Sequence, residues 1–149
     1  MPEFTLKKAY KLQEQGRIAV FLSRHEPQQR QLDILREQGI SILYWVVGTV
    51  SNPNDLIDLV TQYSADVLIP VLPPMLLAPI LSKLQRLNKE VWIWRMERKQ
   101  VSLEEAKKLA EQGITVDVDV RSGTAVAFIP TELSKLVKIE IVTEPIWRA

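Results

Sequence analysis

Apolar positions recur along this chain in two rhythms. Residues 17–23, 40–47, 66–71 and 90–96 are short, almost continuous apolar runs rich in Val, Ile and Leu, the pattern of strands covered on both faces. Between them, residues 27–38, 54–63 and 75–88 set apolar side chains three and four apart among charged and amide residues, which predicts helices with one buried stripe. Residues 4–15 carry Phe4, Leu6, Tyr10 and Leu12 among lysines and predict another short amphipathic helix, closed by Gly16. The form Glu14-Gln15-Gly16 returns at Glu37-Gln38-Gly39 and Glu111-Gln112-Gly113, read as one helix-end chemistry used three times rather than as a duplication.

Strand and helix therefore alternate through the first hundred residues with short connections. Right-handed crossovers then give an α/β chain, a Rossmann-like three-layer fold with a mainly parallel sheet and helices on both faces. After residue 97 the rhythm changes. A helix over 103–112 is followed by a strand over 114–120, a Ser122-Gly123 turn and a strand over 124–129, which reads as a β-hairpin, and Val137 to Val142 reads as a last strand before Pro145. The division is thus a core over residues 1–99, with the helix 4–15 at its start, and a helix, hairpin and strand over 100–149 that extend or cap the same domain.

Composition narrows the function classes. The 149 residues carry 19 Lys plus Arg against 18 Asp plus Glu, so a net charge of +1 gives no global attraction to long nucleic acid or to an anionic membrane. With no Cys there is no disulfide framework, thiolate cluster or cysteine nucleophile, and a reducing, cytoplasmic setting fits. The most apolar stretch, Val67 to Leu81, is too short to span a bilayer and holds Pro70, Pro73, Pro74 and Pro79. The charged N-terminal segment has no apolar signal-peptide core. Neither a dinucleotide fingerprint nor a P-loop occurs, and no resident cofactor is expected.

In parallel α/β sheets ligands bind outside the carboxyl ends of the strands. Ser23, Arg24 and His25 put a hydroxyl, a guanidinium and the chain's one imidazole at the end of the first strand, where a helix begins. His25 suits general acid or base work and Arg24 suits a phosphate or developing negative charge. A plain helix-entry turn is the competing reading. Thr49, Ser51 and Asn52 offer hydrogen-bonding groups after the second strand, or simply a turn into the next helix. After the third strand, Pro73 and Pro74 make a stiff wall, and Met75 beside them either packs against a base or faces the core. Arg95, Arg98 and Lys99 make a basic cluster after the fourth, attractive to phosphate or merely solvated. Asp117 and Asp119 share a strand face but have no accompanying ligand set, so no metal site is assigned.

The run Phe21-Leu22-Ser23-Arg24-His25-Glu26-Pro27, followed by Gln31 and Leu32, resembles small CRISPR-associated, CARF-like Rossmann proteins of the ring-nuclease type, whose first strand also ends in Ser and His. Asp66 to Arg98, a strand, turn, helix and apolar strand ending in basic residues, adds a second similarity, and together they cover residues 17–99. The resemblance implies a homodimer that binds a cyclic oligoadenylate across its two-fold axis. It further implies metal-independent cleavage, the ribose 2′-hydroxyl attacking the adjacent phosphate to leave a 2′,3′-cyclic phosphate. Ser23 and His25 match the motif. Arg24 stands where a small residue is expected, and Pro73-Pro74 where some relatives have a glycine-containing turn. Two further classes stay open: a non-catalytic sensor of such a nucleotide, and an interaction protein that buries Trp92, Trp94 and Ile146-Trp147 against a partner.

Overall fold

A computed structural model describes residues 3–140 and 142–149 of the chain. Seven strands are formed among these residues: β1 (Phe4–Lys11), β2 (Arg17–Leu22), β3 (Ile40–Gly48), β4 (Val67–Pro70), β5 (Glu90–Ser102), β6 (Thr115–Asp119) and β7 (Thr124–Lys135). The helices are α1 (Gln29–Glu37), α2 (Asp55–Gln62), α3 (Pro74–Arg86) and α4 (Leu103–Glu111). All strands join one sheet in the order β1-β3-β2-β4-β5-β7-β6.

The mainly parallel, Rossmann-like three-layer sheet is not what forms. β3, β2, β4 and β5 are parallel neighbours, but their registers run over only six, four and two positions. The antiparallel pairings β1–β3, β5–β7 and β6–β7 run over seven, eleven and five. The sheet is mixed, antiparallel along most of its paired length, and curled into a half-barrel. The parallel registers are short, and β3, β4 and β5 are each reached by a helical crossover, whereas hairpin-linked β6 and β7 and the long β5 extend each other's antiparallel ladders.

Three sequence expectations are corrected with it. Residues 4–11 are an edge strand, not a helix. A bulge between Leu6 and Lys8 turns the strand over, so that Phe4 packs on one face of the sheet while Tyr10 and Leu12 pack on the other. β5 and β7 run well past residues 96 and 129, pairing through Ser102↔Thr124 at one end and Trp92↔Lys135 at the other. Val137 to Val142 is not a strand where it is described, and Ile141 lies outside the described residues. Leu136 N still donates to Val91 O at 2.8 Å, but β5 begins at Glu90 and leaves the following residues no ladder to join.

The two faces of the sheet bury separate cores. Ala19, Phe21, Leu43, Val67, Ile69 and Trp92 face α1 through Leu32 and Leu35. Val20, Leu22, Val46, Leu68 and Val91, alternating with them, face α2 and α3. α4 covers the β5–β7–β6 end through Ala106, against Val101, Ala125 and Ala127. The sheet wraps around α1: Arg30 N donates to Gly113 O at 3.0 Å beside β6, while Lys8 to Lys11 of β1 and the following Leu12 flank the other side of the same helix. No helix among the described residues is long and apolar enough to cross a membrane.

Candidate functional site

Strand order reverses between β2 and β4. β2 leads through α1 to β3 on one side, and the chain then returns across α2 to β4 on the other. The loops leaving the carboxyl ends of β2 and β4 part at this point and open a crevice, the usual place for a ligand beside parallel strands.

The first of these loops is held firmly. Ser23 N donates to Val46 O at 3.1 Å, Trp45 Nε1 donates to Ser23 O at 2.9 Å, and Val71 N donates to Leu22 O at 2.9 Å. His25 N donates to Ser23 Oγ at 3.1 Å, a turn that leaves the hydroxyl proton free to point elsewhere. Ser23 is only 8% exposed, whereas Arg24, His25 and Glu26 are exposed. Tyr10 of β1 donates its hydroxyl to Glu26 Oε1 at 2.6 Å. Burial first, then this bond and the Glu26 charge, hold the Tyr10 hydroxyl well above the usual phenol range.

Ser23, His25, Val71 and Leu72 line two cavities at once and so form a ridge between them. The first cavity, about 460 Å³, lies toward α1, β5 and β7. Its walls are mostly apolar, with Phe21, Pro70, Ile93, Trp94, Met96 and Phe128, and its polar groups include Gln28 and Gln31. The second, about 440 Å³, lies toward the loop after β3 and the start of α3, with Arg24, Thr49, Pro73 and Leu76 around it. Both are large enough for a nucleoside-sized group.

The residues singled out in the sequence are dispersed unequally. Ser23 and His25 stand on the ridge, and Arg24, Thr49 and Pro73 border the second cavity. Ser51 and Asn52 lie outside both: Asn52 Oδ1 accepts from Asn54 N at 2.9 Å and Asn52 N donates to Asp55 Oδ2 at 3.2 Å, which builds the turn into α2. Met75 is 62% exposed and lines neither cavity. The basic cluster is divided by the pleat of β5. Arg98 shares a face with Trp94 and Met96, its guanidinium 6.0 Å from the Phe128 ring at the edge of the first cavity. Arg95 and Lys99 point the other way, and Arg95 pairs with Glu132 at 3.3 Å.

Sequence reasoning missed Gln28, Met96 and Phe128 and quoted Gln31 only within the ring-nuclease resemblance, with no role. For the two amides a signal existed. Gln28-x-x-Gln31 has capping-box spacing at the start of α1, and Gln31 Oε1 accepts from Gln28 N at 3.0 Å. Phe128 and Met96 reach the cavity only because β7 pairs with the far half of β5, a long-range event with no local mark. Among the described residues, no three His, Asp or Glu side chains gather closely enough to hold a metal ion. No protein-family model matches the chain, and comparison with curated proteins and with solved structures returns no match.

Proposed function

We propose that the protein binds a cyclic oligoadenylate across the Ser23–His25 ridge and opens the ring. The observation that carries this reading is a pair of similar cavities separated by one loop that bears a hydroxyl, a guanidinium and an imidazole. Two consecutive nucleosides fit such a pair, one on each side, and the phosphodiester that joins them then lies over the ridge. The resemblance of residues 21–27 to the ring-nuclease motif points to the same ligand class.

The chemistry follows from those three side chains. The ribose 2′-oxygen attacks the adjacent phosphorus and the bond from phosphorus to the 5′-oxygen breaks. His25 takes the 2′-hydroxyl proton, and a proton is returned to the departing 5′-oxygen by the same imidazole or by water. The products are a linear chain with a 2′,3′-cyclic phosphate at one end and a 5′-hydroxyl at the other. Arg24 meets the charge that builds on the non-bridging oxygens, and Ser23 donates its free hydroxyl proton to the phosphate.

The test is incubation of the purified protein with cyclic tri-, tetra- and hexa-adenylate, with and without EDTA, read by chromatography beside a His25→Ala variant. Linearisation that survives EDTA and falls at least about a hundredfold in the variant is expected, the usual scale for losing a general base. Neither binding nor turnover with any ring overturns the proposal. Tight binding without turnover keeps the ligand and removes the enzyme, leaving a sensor.

A further inference from the structure

Gln31 lines the first cavity and is only 6% exposed. Its Oε1 accepts the Gln28 backbone N–H at 3.0 Å, but its Nε2 reaches only the Met96 sulfur, at 3.8 Å. A thioether is a weak acceptor, so a primary amide with two N–H groups is enclosed with almost nothing to donate to. The neighbouring Gln28 donates Nε2 to Phe128 O at 2.6 Å, and its own Oε1, enclosed and turned toward the Gln31 backbone N–H of the capping box, makes no well-formed hydrogen bond. Polar groups in this part of the cavity are therefore short of partners, while Phe21, Ile93, Trp94 and Phe128 offer apolar surface beside them.

That combination suits a flat heteroaromatic ring, its faces against apolar side chains and its edge against an amide. We propose that the first cavity is a nucleobase pocket in which Gln31 reads adenine, donating an Nε2 hydrogen to a ring nitrogen. The inference rests on the ligand class proposed above and names the residue that selects the base. Gln31 Oε1 keeps a second lone pair, which can accept from the 6-amino group beside that nitrogen, the paired contact that a carboxamide makes with adenine. Guanine presents two acceptors along its N7 and O6 edge and would set one of them against Oε1. The contact from Gln31 Nε2 to the Met96 sulfur is the one that the base would replace.

The experiment measures equilibrium binding of adenosine monophosphate, its 1-deaza and 7-deaza analogues, and cyclic tetra-adenylate to the wild type and to Gln31→Met. Each deaza analogue replaces one ring nitrogen by C–H. The wild type is expected to bind one of the two about tenfold more weakly than adenosine monophosphate, the size of one lost hydrogen bond. The Met variant is expected to bind all three monophosphates alike. Equal binding of the three by the wild type, or a preference that survives in the variant, overturns the inference. Gln31→Glu keeps the acceptor for Gln28 N and, assayed as the carboxylate at alkaline pH, carries the same test if the Met variant does not fold. Cyclic tetra-adenylate separates the two proposals: discrimination among monophosphates without ring binding overturns the cyclic ligand and leaves Gln31, whereas ring binding untouched by Gln31→Met does the reverse.

Discussion

Trp45 shows how a single side chain can fix a loop from the neighbouring strand. It stands on β3 opposite Phe21 of β2, and its indole N–H reaches the Ser23 carbonyl at 2.9 Å. Ser23 N is already tied to Val46 O, so both backbone polar groups of the ridge's first residue are fixed from β3. Trp45→Phe keeps most of the packing and removes the donor. It is expected to cost about 1 kcal/mol, the net worth of one such bond, and to lower the melting temperature by about 2–4 °C. The functional readout separates support from contact. Under the proposed function, turnover of the cyclic adenylate should fall more than its affinity does, because Ser23, Arg24 and His25 lose their placement while both cavities keep their walls. Equal loss of kcat and affinity would mean that the indole touches the ligand itself.

At the scale of elements, the joint between β2, β5 and β7 is an ion cluster. Glu90 opens β5, pairs with Arg17 at the start of β2, and lies 3.7 Å from Lys135 Nζ at the end of β7. Burial pushes the Glu90 carboxyl up, but hydrogen bonds from Trp92 and Arg17 and the charges of Arg17 and Lys135 outweigh it and hold the group below its usual value of 4.5. A carboxyl lowered by folding adds stability that is present above its unfolded pKa and is lost as pH falls through the folded one. Stability should therefore decline below about pH 4.5, and Glu90→Gln should be less stable at pH 7 by about 1 kcal/mol at most, with a flatter acid limb and less dependence on salt. Chemical denaturation between pH 3 and 7 checks this, and parallel acid limbs in the two proteins would refute it.

The elements that the sequence shows clearly are those with one unbroken rhythm. β2, α1, β3, α2, β4 and α3 lie within a few residues of their predicted limits, because each buries a continuous run or a single stripe. β1 is hidden by its bulge, which moves its apolar residues from one face to the other and mimics helical spacing. Gly16 compounds this. It reads as a helix end, yet its positive φ serves a close approach in which an added Cβ would strike Gly39 O. The charged half of β5, Met96 to Ser102, carries no strand signal of its own and is a strand because β7 lies beside it. The site divides in the same way. Ser23, Arg24 and His25 are legible as the end of a buried strand, whereas the walls of the first cavity come from pairings some hundred residues apart in the chain.

At the scale of the whole molecule, the first cavity exists because the sheet curls until its β6–β7 end meets α1. Two bonds close that seam, Arg30 N to Gly113 O at 3.0 Å and Gln28 Nε2 to Phe128 O at 2.6 Å. Gly113 sits in the seam with φ +83°, and an added Cβ would lie 2.9 Å from both Arg30 N and Gln29 Cβ. Gly113→Ala therefore meets backbone strain and a backbone neighbour together, and relief requires the hairpin to move away from α1. A cost of about 2 kcal/mol is expected, or about 4–8 °C in melting temperature. The loss should be local. Amides of β6 and β7 should exchange hydrogen faster while those of β2, β3 and β4, which form the parallel centre, stay protected. If the first cavity takes adenine as proposed, adenylate affinity should fall with the opening of the Phe128 wall, and the Arg24 side of the ridge should keep its shape. Uniformly faster exchange across all strands would mean instead that the half-barrel opens as one unit, with the seam holding the entire sheet rather than only the cavity.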